Sequence, residues 1–135
     1  MTQEQKDLLL KDLCARLPYG VKVKLSDNPN IFDLEYRIKF AIMYGDSDKL
    51  EDILDITNIK PYLFPMSSMT DEDYAIYSKI WEDAGKTAYL EGCHHLISTI
   101  KAYKAANDYL LSKHYDINGL FPKGLAIDAT GLNIY

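Results

Sequence analysis

The feature that most constrains this chain is a change of hydrophobic period between residues 60 and 70. Before it, apolar residues recur at every second position, the period of a strand with one buried face. After it they recur at spacings of three and four, the period of a helix stripe. A chain that makes this switch must set a sheet-bearing half against a helical half. The expected class is therefore α+β. At 135 residues the chain fits one domain, residues 1–135. A chain of that size buries enough surface to fold without disulfides or a structural metal.

The first half, 1–60, begins with TQEQKDLLLKDLCARL, which reads as a helix. Thr2 is its N-cap, Leu9, Leu10, Leu13 and Leu17 follow helical spacing, and Pro18 and Gly20 stop it. Cys14 is expected on the apolar face of this helix as a buried free thiol, and Cys93 likewise later in the chain. Val21, Val23 and Leu25 alternate with Lys22 and Lys24, which predicts a half-buried strand with a basic face. Phe32, Leu34, Tyr36, Ile38, Phe40, Ile42 and Tyr44 then hold one period-2 face for seven positions. That predicts a long strand with a bend or bulge, or with a tight turn near 35–37, followed by a turn at 45–48. Residues 50–59 read as a strand or a short helix, and the β-branched residues favour a strand over 53–59. Together these segments predict a small antiparallel sheet, or a partly open barrel, of three to four strands.

Residues 61–69 are expected to be an extended junction, because residues that precede Pro61 and Pro65 are pushed out of the helical region. The helical half is expected over 70–114. Thr70 is an N-cap, and Asp71, Glu72 and Asp73 place negative charge at the positive end of the helix dipole. Tyr74, Tyr77 and Trp81 line one face of this helix, and Gly85 is expected to break or kink it. A second helix over 87–114 would be about 42 Å long. Its stripe runs through Tyr89, Cys93, Leu96, Ile100, Tyr103, Asn107, Leu110 and His114 at alternating spacings of four and three. A helix that long outreaches a small sheet, so it must pack on another helix or across a dimer. Tyr89, Leu96, Ile100, Tyr103 and Asn107 are the partner-interface candidates, with Asn107 suited to fixing register between helices. The tail, 115–135, carries nine large apolar residues and turn signals at 118–119, 122–124 and 130–131. It has too much to bury to be disordered, and it is expected to wrap back over the core.

Composition narrows the function. The net charge is −5, and residues 26–83 carry the negative excess. That argues against general nucleic-acid binding, which uses a basic face. The start of the chain is too charged for a signal peptide, and no apolar run approaches the roughly 20 residues of a membrane span. A cytoplasmic protein is expected. The chain carries neither a G-x-S-x-G elbow nor a phosphate-cradling glycine loop, so no catalytic residue is assigned and an enzyme is unsupported. Glu91, Cys93, His94 and His95 are the most site-like cluster. On a helix, adjacent residues point about 100° apart, so Cys93, His94 and His95 cannot share a metal, and Glu91 with His95 supplies only two ligands. Neither a metal nor another cofactor is expected. His114, at a helix end, is read as a charged cap favoured by the dipole.

Three segments carry a family resemblance: KDLCARLPYGVKV at 11–23, IKPYLFPMSSMT at 59–70 and HYDINGLFPKGLAID at 114–128. In this order they resemble a group of small uncharacterised proteins of gut Bacteroidales and their phages. The resemblance implies a phage or mobile-element accessory role and transfers no catalytic residues. Two binding functions follow as expectations. One is engagement of a host protein, or homo-oligomerisation, through the tyrosine-bearing helical face. The other is sequestration of a small anionic ligand such as a signalling nucleotide. For the latter, Lys22, Lys24, Arg37 and Lys39 would share the polar sheet face and Tyr62 would offer a stacking ring.

Overall fold

A computed structural model describes the backbone of residues 1–26, 28–44, 55–91 and 95–135. It describes their side chains except at 41, 44, 85, 87–91 and 95–98. Among these residues are four α-helices and four strands: α1 Gln3–Arg16, β1 Lys22–Leu25, β2 Phe32–Asp33, α2 Leu34–Tyr44, β3 Ile59–Leu63, α3 Asp71–Glu91, α4 His95–Ser112 and β4 Ile127–Asp128. The fold is α+β with an open, mixed sheet in the order β2-β1-β3-β4.

Local chemistry explains where α1 begins and ends. Thr2 caps it through a reciprocal box with Gln5, and Gly20 leaves the following 3₁₀ turn in the left-handed region at φ 73°. Its buried positions are Leu9, Asp12, Leu13 and Arg16, spaced three, one and three. Leu10 and Cys14 therefore fall on the flank and are exposed, which corrects the expectation of a buried Cys14. Val21, Val23 and Leu25 are buried and Lys22 and Lys24 half-buried, as the alternation predicts. β1 is antiparallel to both β2 and β3. The core gathers Leu9 and Leu13 of α1 against Val23, Leu25, Ile59 and Leu63 of the sheet, with Leu34, Leu120 and Leu125 closing it.

The long strand expected over 32–44 is instead a two-residue strand followed by helix α2. Every second residue of this stretch is apolar, so every fourth one is too, and Leu34, Ile38 and Ile42 form a helix stripe as readily as a strand face. Asp33 decides the matter locally. Its carboxylate accepts the Tyr36 N–H at 3.0 Å, as an N-cap does, and Glu35 pairs with Lys39 one turn on at 2.8 Å. The expected turn at 45–48 lies outside the described residues. So do 53 and 54 of the expected 53–59 strand. Ile56–Asn58 is a 3₁₀ turn, and the strand begins only at Ile59.

The stretch read as a junction supplies an inner strand of the sheet. KPYLFP is extended as expected, but β3 lies between β1 and β4 and buries Pro61, Tyr62 and Leu63. Pro61 cannot donate to a ladder; it faces Val23 and lies outside the short pairing of Tyr62 and Leu63 with β4. β4 runs parallel to β3, contrary to the all-antiparallel expectation. A parallel neighbour needs a long crossover, and the α3–α4 hairpin provides it. Gly85 does not break α3, which runs on to Glu91. One glycine inside a helix costs about 1 kcal/mol, too little to stop it. The single helix expected over 87–114 is likewise divided: α3 ends at Glu91 and α4 starts at His95. In α4 the buried stripe is Ala102, Ala106 and Leu110, not Ile100 and Tyr103. The tail is ordered and packs back on the core, with left-handed glycines at 119, 124 and 131 in its three expected turns.

Candidate functional site

The sites marked in the sequence separate in space. Lys22 and Lys24 share β1, but Arg37 and Lys39 sit on α2 rather than on the sheet. The Lys22 ammonium is bound to Asp33 at 3.1 Å and Lys39 to Glu35. The Arg37 guanidinium lies 4.9 Å from the Phe32 ring centre. Tyr62 is buried, so it offers no open stacking face. Lys24 stands directly opposite Lys60 of β3, and the two border a groove of about 560 Å³ with Ser26, Thr57 and Asn58. On the hairpin, Ile100 and Tyr103 are 59% and 60% exposed, and Asn107 is half-buried. The side chains of Tyr89, Leu96, Glu91 and His95 lie outside the described set, as do Cys93 and His94 altogether. Among the described residues no group of three or more His, Cys, Asp or Glu is placed to hold a metal ion. No described helix is long and apolar enough to cross a membrane.

A cleft that the sequence did not mark lies where the hairpin base meets β3 and the tail. It is open to solvent and has a volume of about 490 Å³. Its centre is the end of α4. The N–H of Tyr115 donates to the Leu110 carbonyl at 3.1 Å and that of His114 to Leu111 at 3.0 Å, the double bond of a Schellman stop. His114 takes the left-handed position of that motif, at φ 64°, where glycine is usual. Its carbonyl accepts the Phe64 N–H at 2.8 Å, and the Phe64 carbonyl accepts the Asp116 N–H at 2.9 Å. The backbone of His114 is thus held from both sides, which is how strain persists in a fold.

The His114 ring is stacked on Tyr135, with centres 3.5 Å apart and planes 12° from parallel. The residue is only 8% exposed, and its Nδ1 has no partner. Burial, followed by the positive charges of Arg16, Lys22 and Lys113, pushes its pKa down from 6.5 to about 4. The imidazole is therefore neutral at pH 7, and the charged helix cap expected from sequence is replaced by an uncharged, packed ring. The Tyr135 hydroxyl donates to the Tyr62 carbonyl at 2.7 Å and accepts the Lys22 N–H at 2.9 Å.

Across the cleft, Asp73 of α3 collects two phenols. Tyr109 donates to one carboxylate oxygen at 2.8 Å and Tyr115 to the other at 2.7 Å. The Tyr115 bond, with help from Tyr109 and Lys113, holds this carboxyl below its usual range against the opposing effect of burial. Tyr109 moves the other way, to about 12, first through burial and then through its bond to the carboxylate. Thr70 caps α3 as expected, its hydroxyl accepting the Asp73 N–H at 3.1 Å. Beneath the cleft floor, Arg16 and Asp12 form a fully buried pair at 2.7 Å, and Arg16 also donates to the Tyr115 carbonyl at 2.7 Å. Asp116 fixes the tail by accepting the N–H groups of Leu120 and Phe121. The cleft can bind polar groups, but a neutral imidazole with so low a pKa is a poor base at pH 7.

Comparison with known proteins yields no match: no protein-family model, no curated protein and no solved structure matches the chain.

Proposed function

We propose that the chain is a non-enzymatic binding protein that acts by assembling with a second copy of itself through the outer face of the α3–α4 hairpin. The carrying observation is the exposure of Ile100 and Tyr103, 59% and 60%, nearly one turn apart on α4. Their helix already buries a separate stripe of Ala102, Ala106 and Leu110, so this apolar pair is surplus to the fold. Charge supports a self-complementary surface. α3 carries six acids and two lysines, whereas α4 carries two lysines and one acid, so a two-fold copy can set each helix against its opposite. With the resemblance to phage and mobile-element proteins, the reading is an accessory factor, and a host protein is the other partner this face would suit. Light scattering at tens of micromolar tests it. A mass that is a multiple of 15.4 kDa supports self-assembly, and the mass of one chain removes it.

A second reading, sequestration of a small anionic ligand, has one supporting placement. Lys24 and Lys60 are directly opposed across β1 and β3, and like charges so placed repel unless an anion lies between them. A panel of mono-, di- and cyclic nucleotides would then contain a member that raises Tm, because a ligand that binds only the native state stabilises it. No shift with any member, or an equal shift in K24A/K60A, counts against this reading.

A further inference from the structure

Three conditions meet at His114. Its backbone is in the left-handed region, which is strained for a residue with a Cβ. Its ring is buried, and Nδ1 is left without a partner, a further cost. Stopping a helix requires neither cost, since glycine makes the same turn freely. His114 lines a cleft whose volume, about 490 Å³, lies in the range of small-molecule sites.

The chemistry of the walls selects the ligand class. Phe64, Tyr115 and Tyr135 line the cleft beside the imidazole, with ring centres 6.0–6.3 Å from Phe64 to each tyrosine, so a flat ring is favoured. Each Asp73 oxygen takes one phenol and keeps a lone pair for a further donor. The Ser112 hydroxyl donates to the Tyr109 carbonyl at 2.6 Å and so meets a ligand as an acceptor. One carboxylate and one ammonium, Asp73 and Lys113, line the cleft, and their charges balance. An uncharged ligand with an N–H edge fits this set better than an anion does, because a phosphate would face Asp73.

We propose that this cleft binds an uncharged planar heteroaromatic ring of the nucleobase or nucleoside class. The ring's N–H edge sits on Asp73 and its plane packs on the aromatic wall beside His114. The site is independent of the proposed assembly face. Ser112 lies nine residues from Tyr103, about 14 Å along α4.

The test is an NMR titration of ¹⁵N-labelled protein with adenosine, guanosine, cytidine and uridine in turn, each to millimolar concentration, with inorganic phosphate as competitor. The proposal expects at least one nucleoside to shift the amides of Asp73, Lys113 and Thr130 saturably. It expects binding at least tenfold weaker in His114→Gly and in Asp73→Asn, and no displacement by phosphate. His114→Gly places glycine at its preferred conformation. Should it nonetheless unfold, Asp73→Asn and Ser112→Ala decide the matter alone. No saturable shift with any of the four nucleosides overturns the proposal. So does unchanged affinity in the folded variants, or displacement by phosphate.

Discussion

The base of the molecule and the outer hairpin are held by different kinds of contact. At the base, polar groups join residues about a hundred positions apart: Arg16 to Tyr115, Asp12 to Asn118, and Lys22 to Tyr135. Farther out on α4, Lys104 and Asp108 make a one-turn pair at 2.6 Å. Long-range bonds close large loops and are made only when the whole topology is in place. Local pairs on an exposed helix contribute a few tenths of a kcal/mol and report nothing about topology. The difference teaches where this fold tolerates change. The base fixes the chain path, and the hairpin presents a surface that stability does not require.

The sharpest way to break this comparison is at Arg16. Arg16→Ala leaves the Asp12 carboxylate buried without its cation, with the Asn118 amide as its remaining partner, and the expected cost is about 3–5 kcal/mol, read from urea unfolding. Asp12→Leu with Arg16→Met should cost far less, because both charges leave together. A loss below about 1 kcal/mol for Arg16→Ala would show that the base network does not hold the fold.

A pH series sharpens the same point at His114. Its native pKa is about 4 against 6.5 for a free imidazole. Above pH 6.5 both the native and unfolded forms are neutral, and stability does not depend on this group. As pH falls from 6.5 toward 4 only the unfolded chain takes up the proton, so stability drops, by up to about 3 kcal/mol in all. His114→Asn also suits the left-handed turn and should flatten that segment of the profile. An unchanged slope in the variant would mean that the imidazole is not buried neutral.

Tyr115→Phe keeps the ring and removes one donor from Asp73. The expected cost is about 1–2 kcal/mol, with the Asp73 carboxyl titrating closer to its ordinary range by NMR. The smallest effect belongs to the hairpin. Ile100→Glu with Tyr103→Glu should change monomer stability by no more than about 0.5 kcal/mol, since both side chains are exposed.

The parts of this fold that obey local rules were legible in the sequence. The Thr2 and Thr70 caps, the alternation of β1, and the glycine turns of the tail are each set by residues within a few positions of one another. α2 was not legible, because an apolar residue at every second position satisfies a strand face and a helix stripe together. The carboxylate of Asp33 and the one-turn pair of Glu35 and Lys39 are the signals that separate them. Of the site, Thr70 was marked as a cap and His114 as a helix end, but not the cleft. An Asp and an Arg four apart look the same whether solvated or buried, and the burial of Asp12 and Arg16 comes from the tail, about a hundred residues later. The meeting of Asp73, Tyr109 and Tyr115 depends on the α3–α4 hairpin, and that of Tyr135 with them on the tail returning past β3, neither of which a local period encodes.

The most direct test of the division between base and hairpin compares two quantities in wild type and in the Ile100→Glu, Tyr103→Glu variant. One is the light-scattering mass at tens of micromolar. The other is Tm at a concentration low enough to dissociate any assembly, so that mass action does not mask the monomer's own stability. The account predicts a multiple of 15.4 kDa for wild type, 15.4 kDa for the variant, and Tm values within about 2 °C of each other. A wild type with the mass of one chain, or a variant that loses its fold together with its assembly, would contradict it.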